Sequence, residues 1–408
     1  MANKTEFLID SILRRFCSDH LYEGIYGDLQ ELYGLEFKSL GPNRAKLLYH
    51  WRAFGFFRST FSKKIDQLKF NIAMWHNFFT ITLRNLGKHK GYSFINVFGL
   101  AIGLAAGFMI LQYVYYETSY DSSFENKENI YRVQLNRYNK GELSTQWAAG
   151  CAGVGLHMLE DFPEVENFVN LHKSGATISY NNNYFKPEYA YYAGATFFEI
   201  FSIPLIEGDR ETALMEPYTV ALSETMAKTL FGDEDPMGKN LKLNDGDNFI
   251  VTAIYQDFPS RSHMKFDLLY SFETYAIYAG QESRTEWQWD GFLNYVVLKD
   301  GTNHKALESK FPDWIIQREG EELEQYNEGM EFILQPLTDI HLTSNYYGEI
   351  KPTGDKTATY FLLIIGMFVL VIAWINYINL TTARSINRAK EVGIRKVMGS
   401  FKSQLVHQ

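Results

Sequence analysis

The chain has 408 residues, 46 % of them hydrophobic and 21 % charged, with a formal net charge of −9. A slightly negative mean hydropathy excludes a protein built mostly of membrane-spanning helices, so most of the chain faces water. The acidic balance, with no basic stripe interleaved with stacking aromatics, excludes a nucleic-acid partner.

Met1 to Phe16 carries Lys4, Glu6, Asp10, Arg14 and Arg15 and no clean apolar run. No secretory signal is expected there, and the N-terminus is expected to stay in the cytoplasm. Residues 1–70 read as a helical cytoplasmic prefix. Phe7, Leu8, Ile12, Leu13 and Phe16 form one helical stripe, and Ile25, Leu29, Leu32 and Tyr33 a second. Gly41-Pro42 opens a third helix, with proline suited to a first turn; it carries Leu47, Leu48, Trp51, Phe54 and Phe57 among Arg44, Lys46, Arg52 and Arg58. The arginines interrupt it too often for a span, and a small helical domain and a membrane-surface element both fit. Residues 72–90 place Trp75, Phe78, Phe79, Thr82, Leu83 and Leu86 at helical spacing beside Arg84 and Lys88, the pattern of an amphipathic interfacial helix.

No charged side chain occurs from Gly91 to Tyr116 or from Thr357 to Ala383. Both stretches exceed the roughly 20 apolar residues that a spanning helix needs. Transmembrane helices are therefore expected over 91–116 and 357–383. Arg84, Lys88, His89 and Lys90 precede the first span, and Arg384, Arg388, Lys390, Arg395 and Lys396 follow the second. The basic flanks put both termini in the cytoplasm and residues 117–356 outside. Gly99, Gly103 and Gly107, spaced by four, give one small-residue face for helix packing. Asn376 and Asn379 fit either an interhelical hydrogen bond or the cytoplasmic interface.

Between the spans, strand-like and helix-like patterns alternate. Strands are expected over 129–135, 249–255, 295–298 and 331–336, and a helix from Val154 to Glu160 closed by Phe162-Pro163. Val220 to Phe231 reads as a strand running into a helix capped by Ser223. The expected architecture is α+β: two transmembrane helices flanking a large two-subdomain domain, with the small helical segment at the N-terminus. Gly232-Asp-Glu-Asp-Pro-Met-Gly-Lys-Asn240 is a turn rather than a phosphate loop. Its glycines are one residue too far apart, and Asn240 stands where a magnesium-binding Ser or Thr is needed. The histidines, among them His157, His172, His263, His304 and His341, show no metal spacing, and no acid–base pair or nucleophile elbow occurs around Ser223 or Ser262. Cys17 and Cys151 fall on opposite sides of the membrane in this topology, which rules out a disulfide between them or a shared zinc site. No cofactor, metal or catalytic residue is expected.

Thr82-Leu-Arg-Asn-Leu-Gly-Lys-His-Lys-Gly-Tyr-Ser-Phe-Ile-Asn-Val-Phe-Gly-Leu-Ala-Ile-Gly103 resembles the lead-in to the first span of MacB/FtsX-type ABC transporter permeases. Arg388-Ala-Lys-Glu-Val-Gly-Ile-Arg-Lys-Val-Met-Gly399 resembles the segment after that family's second span. Phe201 to Asp209 and Leu230 to Lys239 resemble its MacB-like periplasmic core domain, so the likeness covers about residues 72–408. The resemblance implies an inner-membrane permease that couples ATP hydrolysis by a separate cytoplasmic ABC ATPase subunit to motion of a periplasmic domain. It implies that residues 384–408 hold the coupling element, with Glu391, Gly393, Ile394, Arg395, Lys396 and Gly399 toward the ATPase. It further implies a homodimer or pseudo-dimer of permease units, a periplasmic adaptor, contact with membrane lipids, and efflux or export of peptides, lipoproteins or other lipophilic compounds. Because that family has further spans, the chain is expected to be a piece of a longer permease. A competing class is a two-span membrane sensor with an extracytoplasmic ligand-binding domain; the short, basic, glycine-punctuated tail without heptads argues against it.

Overall fold

The computed structural model describes residues 10, 14, 19–55, 80, 90–244 and 246–399, which divide into two compact units, Met1–Gly99 and Leu100–Gln408. The first helical stripe apart from Asp10 and Arg14, the interfacial helix over 72–90 apart from Thr80 and Lys90, and Cys17 lie outside the described residues.

In the first unit, helices run over Asp19–Leu40 and residues 42–55. Gly41 between them has φ +81°, a left-handed conformation that ends the first helix at little cost for glycine. Leu29, Tyr49 and Ala53 are buried together, with Tyr22, Ile25 and Tyr33 packed on them. The Tyr49 hydroxyl donates to Asp10 Oδ1 at 2.6 Å. Burial, then the neighbouring Asp10 carboxylate, pushes the phenol well above its ordinary pKa. Arg52 Nη2 lies 2.7 Å from Glu36 Oε1.

The helix Lys90–Thr118 leads into a mixed sheet. Among the described residues thirteen strands join it: β1 Ile130–Asn139, β2 Glu142–Trp147, β3 Val165–Ser174, β4 Ile178–Tyr180, β5 Asn183–Phe185, β6 Ala190–Ala193, β7 Leu205–Gly208, β8 Thr219–Ser223, β9 Asn240–Leu243, β10 Asn248–Tyr255, β11 Leu268–Ser271, β12 Phe292–Leu298 and β13 Glu328–Pro336. The order across the sheet is β13-β1-β12-β3-β6-β11-β8-β10-β9-β4-β5, with β2 added to β1 and β7 to β10. The pairs β6–β11 and β8–β10 are parallel. The remaining strand pairs are antiparallel.

Alternation along the strands sends side chains to two faces. Tyr191, Ala221, Leu269, Leu293 and Tyr295 enter one apolar cluster, roofed by Phe197, Phe198 and Phe201 and by Leu337, Ile340 and Ile350. The far face is divided. Over β1, β12 and β13 it is covered by the helices Gly153–Asp161 and Phe311–Tyr326, around Val154, Met158, Phe311 and Trp314. Over β6, β8, β10 and β11 it is covered by Glu224–Phe231 and Phe272–Ala279, around Leu230, Phe231, Phe272 and Tyr275. The two subdomains expected from the sequence thus share one sheet and differ in the helices on its far face. Ser223 Oγ accepts from Met226 N at 3.2 Å and caps its helix. Residues 232–239 form a turn entered at Gly232 (φ +61°) and left after Gly238 (φ +71°).

Among the described residues two helices carry apolar windows long enough to cross a bilayer, Val97–Thr118 and Lys356–Asn379. Only 11 % and 17 % of those windows are buried. A core helix of a water-soluble protein would bury them, whereas Ile102, Phe108, Met109, Phe361, Phe368 and Ile372 are exposed. The second helix does not stop at the membrane boundary. It runs unbroken from Lys356 to Val397, with Gly399 at φ +93° just beyond its end. Charge pattern alone divides this stretch into a span over 357–383 and a separate segment from 384. Because no proline and only one glycine, Gly393, intervene between Arg384 and Val397, the helix simply continues.

Candidate functional site at the junction of spans and sheet

The site is built where both spans meet the sheet domain. Thr118 ends the first helix, and the chain turns through Asp121, whose φ of +55° is left-handed. A short polar side chain tolerates that conformation when local hydrogen bonds hold it. Here they do. Asp121 N donates to Arg261 O at 2.9 Å, and Asp121 Oδ1 accepts from Ser262 Oγ at 2.8 Å and from His263 N at 3.1 Å. Asp121 Oδ2 lies 2.9 Å from His263 Nδ1, and neither atom has another hydrogen-bond partner. Burial alone would push this carboxyl up. The His263 charge and the hydrogen bonds from His263 and Ser262 outweigh it and hold Asp121 below the usual carboxylate range. On the other side of the ring, His263 Nε2 meets Tyr295 Oη on β12 at 2.9 Å.

One turn earlier, Glu117 reaches the segment after β13. His341 Nε2 donates to Glu117 Oε2 at 2.8 Å, and Tyr120 stacks on the His341 ring. The backbone of Gly354 closes over this pair: its N–H donates to His341 O at 2.8 Å. A Cβ on Gly354 would sit 2.6 Å from Glu117 Oε2 and 2.9 Å from His341 Nε2. The next residue, Asp355, caps the second span by accepting from Ala358 N at 2.9 Å. The outer ends of the two spans are therefore joined through His341 and Gly354.

The same segment is tied to the sheet. Arg132 on β1 is fully buried and forks onto Glu349, Nη1 to Oε2 at 2.6 Å and Nη2 to Oε1 at 2.8 Å. Nη2 also donates to Gln335 Oε1 at 2.7 Å and Ser344 Oγ at 2.8 Å. Bidentate pairing of this kind fixes orientation as well as distance. Lys351 Nζ donates to Ser262 O at 2.7 Å, linking this strand-to-span segment to the loop that holds Asp121; burial pushes its amine down. What the arrangement can do is mechanical. It fixes two membrane helices to one rigid sheet through two buried carboxylate–imidazole pairs and an arginine fork.

Within the membrane the spans touch along glycines. A Cβ on Gly103 would lie 3.0 Å from Ala373 Cβ, and one on Gly107 2.5 Å from Leu370 Cδ2. A Cβ on Gly366 would lie 2.8 Å from Ile110 Cγ2. The order of these contacts makes the helices antiparallel and brings their backbones close. Gly99, expected in the same row, is exposed. Gly366 and Ala373 supply the other half of this contact, and single small residues in a long apolar run carry no spacing that marks them. Nothing in the sequence marks the junction: Glu117 and Asp121 belong to no local pattern, and His263 and His341 have no spacing that pairs them with a carboxylate.

Of the residues assigned to ATPase coupling, Glu391, Gly393, Ile394, Arg395 and Lys396 lie on the last turns of the helix Lys356–Val397, and Gly399 follows its end. Ile394 is exposed, and a Cβ on Gly393 would meet nothing within 4 Å. The junction residues stand at the opposite end of the same helix. Cys151 is buried and donates to Trp287 O at 2.7 Å; burial first, then the Asp290 charge, pushes the thiol up, which makes it unreactive.

These features define a membrane-anchored α+β domain clasped to a pair of spanning helices. The MacB-like periplasmic core domain description matches residues 93–313, more than half of the chain, and the chain belongs to that family. Among curated proteins it is similar to "Macrolide export ATP-binding/permease protein MacB" of Neisseria meningitidis, 22 % identical over 58 % of this chain and 34 % of that one. It is 23 % identical to the protein of the same name in Neisseria gonorrhoeae, with the same coverage. The chain thus spans about a third of the length of these relatives. A crystal structure of the periplasmic region of MacB from Actinobacillus actinomycetemcomitans is 16 % identical and covers 50 % of this chain and 87 % of that one, with a TM-score of 0.34.

Proposed function

We propose that this chain is the permease subunit of an ABC-type transporter, working as a mechanical transmitter and not as an enzyme. Its ATPase is a separate cytoplasmic polypeptide. Both termini of the chain are cytoplasmic, and the sheet domain lies in the periplasm. The observation that carries this reading is the continuity of the helix Lys356–Val397 from its cap at Asp355 to its basic end. At 1.5 Å per residue the helix is about 63 Å long, and a hydrocarbon core of about 30 Å takes only half of it. A push on the basic end therefore reaches the junction without crossing a loop.

In this reading Arg395 and Lys396 pair with acidic groups of the ATPase, with Glu391 completing the charged face. Ile394 and Val397, both exposed, pack into the ATPase groove. Gly393 lets the partner approach the backbone, and Gly399 ends the helix. Permease units pair as a homodimer or pseudo-dimer, and a periplasmic adaptor receives the exported peptide, lipoprotein or other lipophilic compound. The test is co-purification from the native membrane. A cytoplasmic ATPase should accompany the chain, and Arg395→Glu with Lys396→Glu should release it while the sheet domain stays folded. Retained association and undiminished ATP turnover in that double variant would overturn the interface.

A further inference from the structure

The helix over residues 42–55 has two apolar faces, and among the described residues only one is used inside its own unit. Ala45, Tyr49 and Ala53 are buried, the last two around Leu29 of the preceding helix. Leu47, Trp51 and Phe54 recur at helical spacing on the opposite side and are 74 %, 76 % and 61 % exposed. Charge is segregated in the same unit. The helix Asp19–Leu40 holds Asp19, Glu23, Asp28, Glu31 and Glu36 against Lys38 alone. Residues 42–55 hold Arg44, Lys46 and Arg52 and no acid, and Arg58, Lys63, Lys64 and Lys69 follow with only Asp66 among them. Only residues 56–89 separate this helix from Lys90–Thr118, whose apolar window enters a bilayer, so a lipid surface is always within reach.

We propose that the helix over 42–55 docks on an anionic bilayer surface. Leu47, Trp51 and Phe54 enter the boundary between headgroups and acyl chains, and Arg44 and Lys46 sit among the phosphates. Tryptophan favours that boundary, and clustered basic residues are held there when the surface is negative. Packing of this face on the same face of a second copy fits less well, because two such basic faces would repel each other. Arg52 is engaged by Glu36 and is left out of the contact.

The test uses the whole chain with Cys17→Ser, reconstituted in phosphatidylcholine vesicles containing about a quarter phosphatidylglycerol. A nitroxide is attached at Trp51→Cys and, separately, at Leu47→Cys. Glu31→Cys, exposed on the acidic helix, is the water-facing reference. A sample with no added cysteine sets the background, since Cys151 is buried. The readout is the ratio of collisions with oxygen to collisions with a water-soluble nickel complex. At positions 51 and 47 it should be several-fold above the reference. It should fall toward the reference in pure phosphatidylcholine and in the Arg44→Glu, Lys46→Glu variant. A ratio equal to the reference overturns the proposal. So does dipolar broadening between labels, which would assign the face to a second copy, or a ratio indifferent to lipid charge, which would remove the headgroups from recognition.

Discussion

Replacing Gly354 by alanine adds one methyl group, and its cost follows from the junction geometry. The backbone of Gly354 is not in the left-handed region, so alanine introduces no conformational strain of its own. The new Cβ would lie 2.6 Å from Glu117 Oε2, and ordinary contact begins at 3.4 Å, so one group must move by about 0.8 Å (3.4 − 2.6). The Glu117–His341 bond is 2.8 Å long, and a displacement of that size takes it to the limit of hydrogen bonding. Losing a buried bond to a charged group costs about 1.5–3 kcal/mol. In a domain of this size about 2 kcal/mol lowers the melting temperature by about 4–8 °C.

The assay is thermal unfolding of the detergent-solubilised chain, followed by tryptophan fluorescence, for Gly354→Ala in the wild-type and Glu117→Ala backgrounds. Glu117→Ala should be destabilising alone. It also removes the atom that the methyl meets, so adding Gly354→Ala to it should cost much less than adding it to the wild type. A melting temperature for Gly354→Ala within about 1 °C of wild type, or strict additivity of the two changes, would refute the clasp.

Three further outcomes are expected. Gly107→Val should separate the spans, because its Cβ would lie 2.5 Å from Leu370 Cδ2, and should reduce disulfide formation between Ile110→Cys and Gly366→Cys several-fold; Gly99→Val, at an exposed position, should not. Asp121→Asn removes the carboxylate oxygen that lies 2.9 Å from His263 Nδ1 and should cost about 1.5–3 kcal/mol at neutral pH, measured by denaturant titration. Since the folded protein holds Asp121 below its ordinary pKa, the stabilisation is full above the usual carboxylate range and fades as pH falls through the lowered value, so wild type and Asp121→Asn should converge in acid. Gly393→Ala should strengthen the helix by about 1 kcal/mol in circular-dichroism melts yet weaken association with the ATPase; unchanged association would mean that the partner does not approach this glycine.

The strands legible in the sequence were those with unbroken β-branched or aromatic runs, such as Phe249–Tyr255 and Tyr295–Leu298, now within β10 and β12. Their composition suits a sheet buried on both faces. Four-residue strands were not legible. β6 and β11 pair in parallel, and neither is long enough to show a period. Arg132, Gln134 and Asn136 illustrate a different failure. Alternation from Ile130 to Asn136 assigns them to a solvated face, but Ser344 and Glu349 close over Arg132, Gln335 bonds both Arg132 and Gln134, and Glu331 and Gln146 bond Asn136, so all three are buried. The junction was illegible for the same reason. His263 N and Asp121 are 142 residues apart in sequence, and His341 and Glu117 are 224 apart. Local pattern cannot report a pairing that depends on how the whole sheet closes.

The two kinds of contact act together. The spans are held along their length by Gly103, Gly107 and Gly366 and at their outer ends by Glu117, His341 and Gly354. Helices joined at both places resist being pulled apart, so a load on the tail of the second helix should tilt the pair as one body. The pivot must then lie beyond the clasp, in the bonds to the sheet: Asp121 to His263, Lys351 to Ser262 and Arg132 to Glu349. Weakening the clasp should let the second span move without the first, whereas weakening the Arg132 fork should let both move without the sheet. Distance measurements between labels on the two spans, and between either span and β1, separate these cases. If Arg132→Met loosened the spans from each other but not from β1, the order of rigid parts argued here would be reversed.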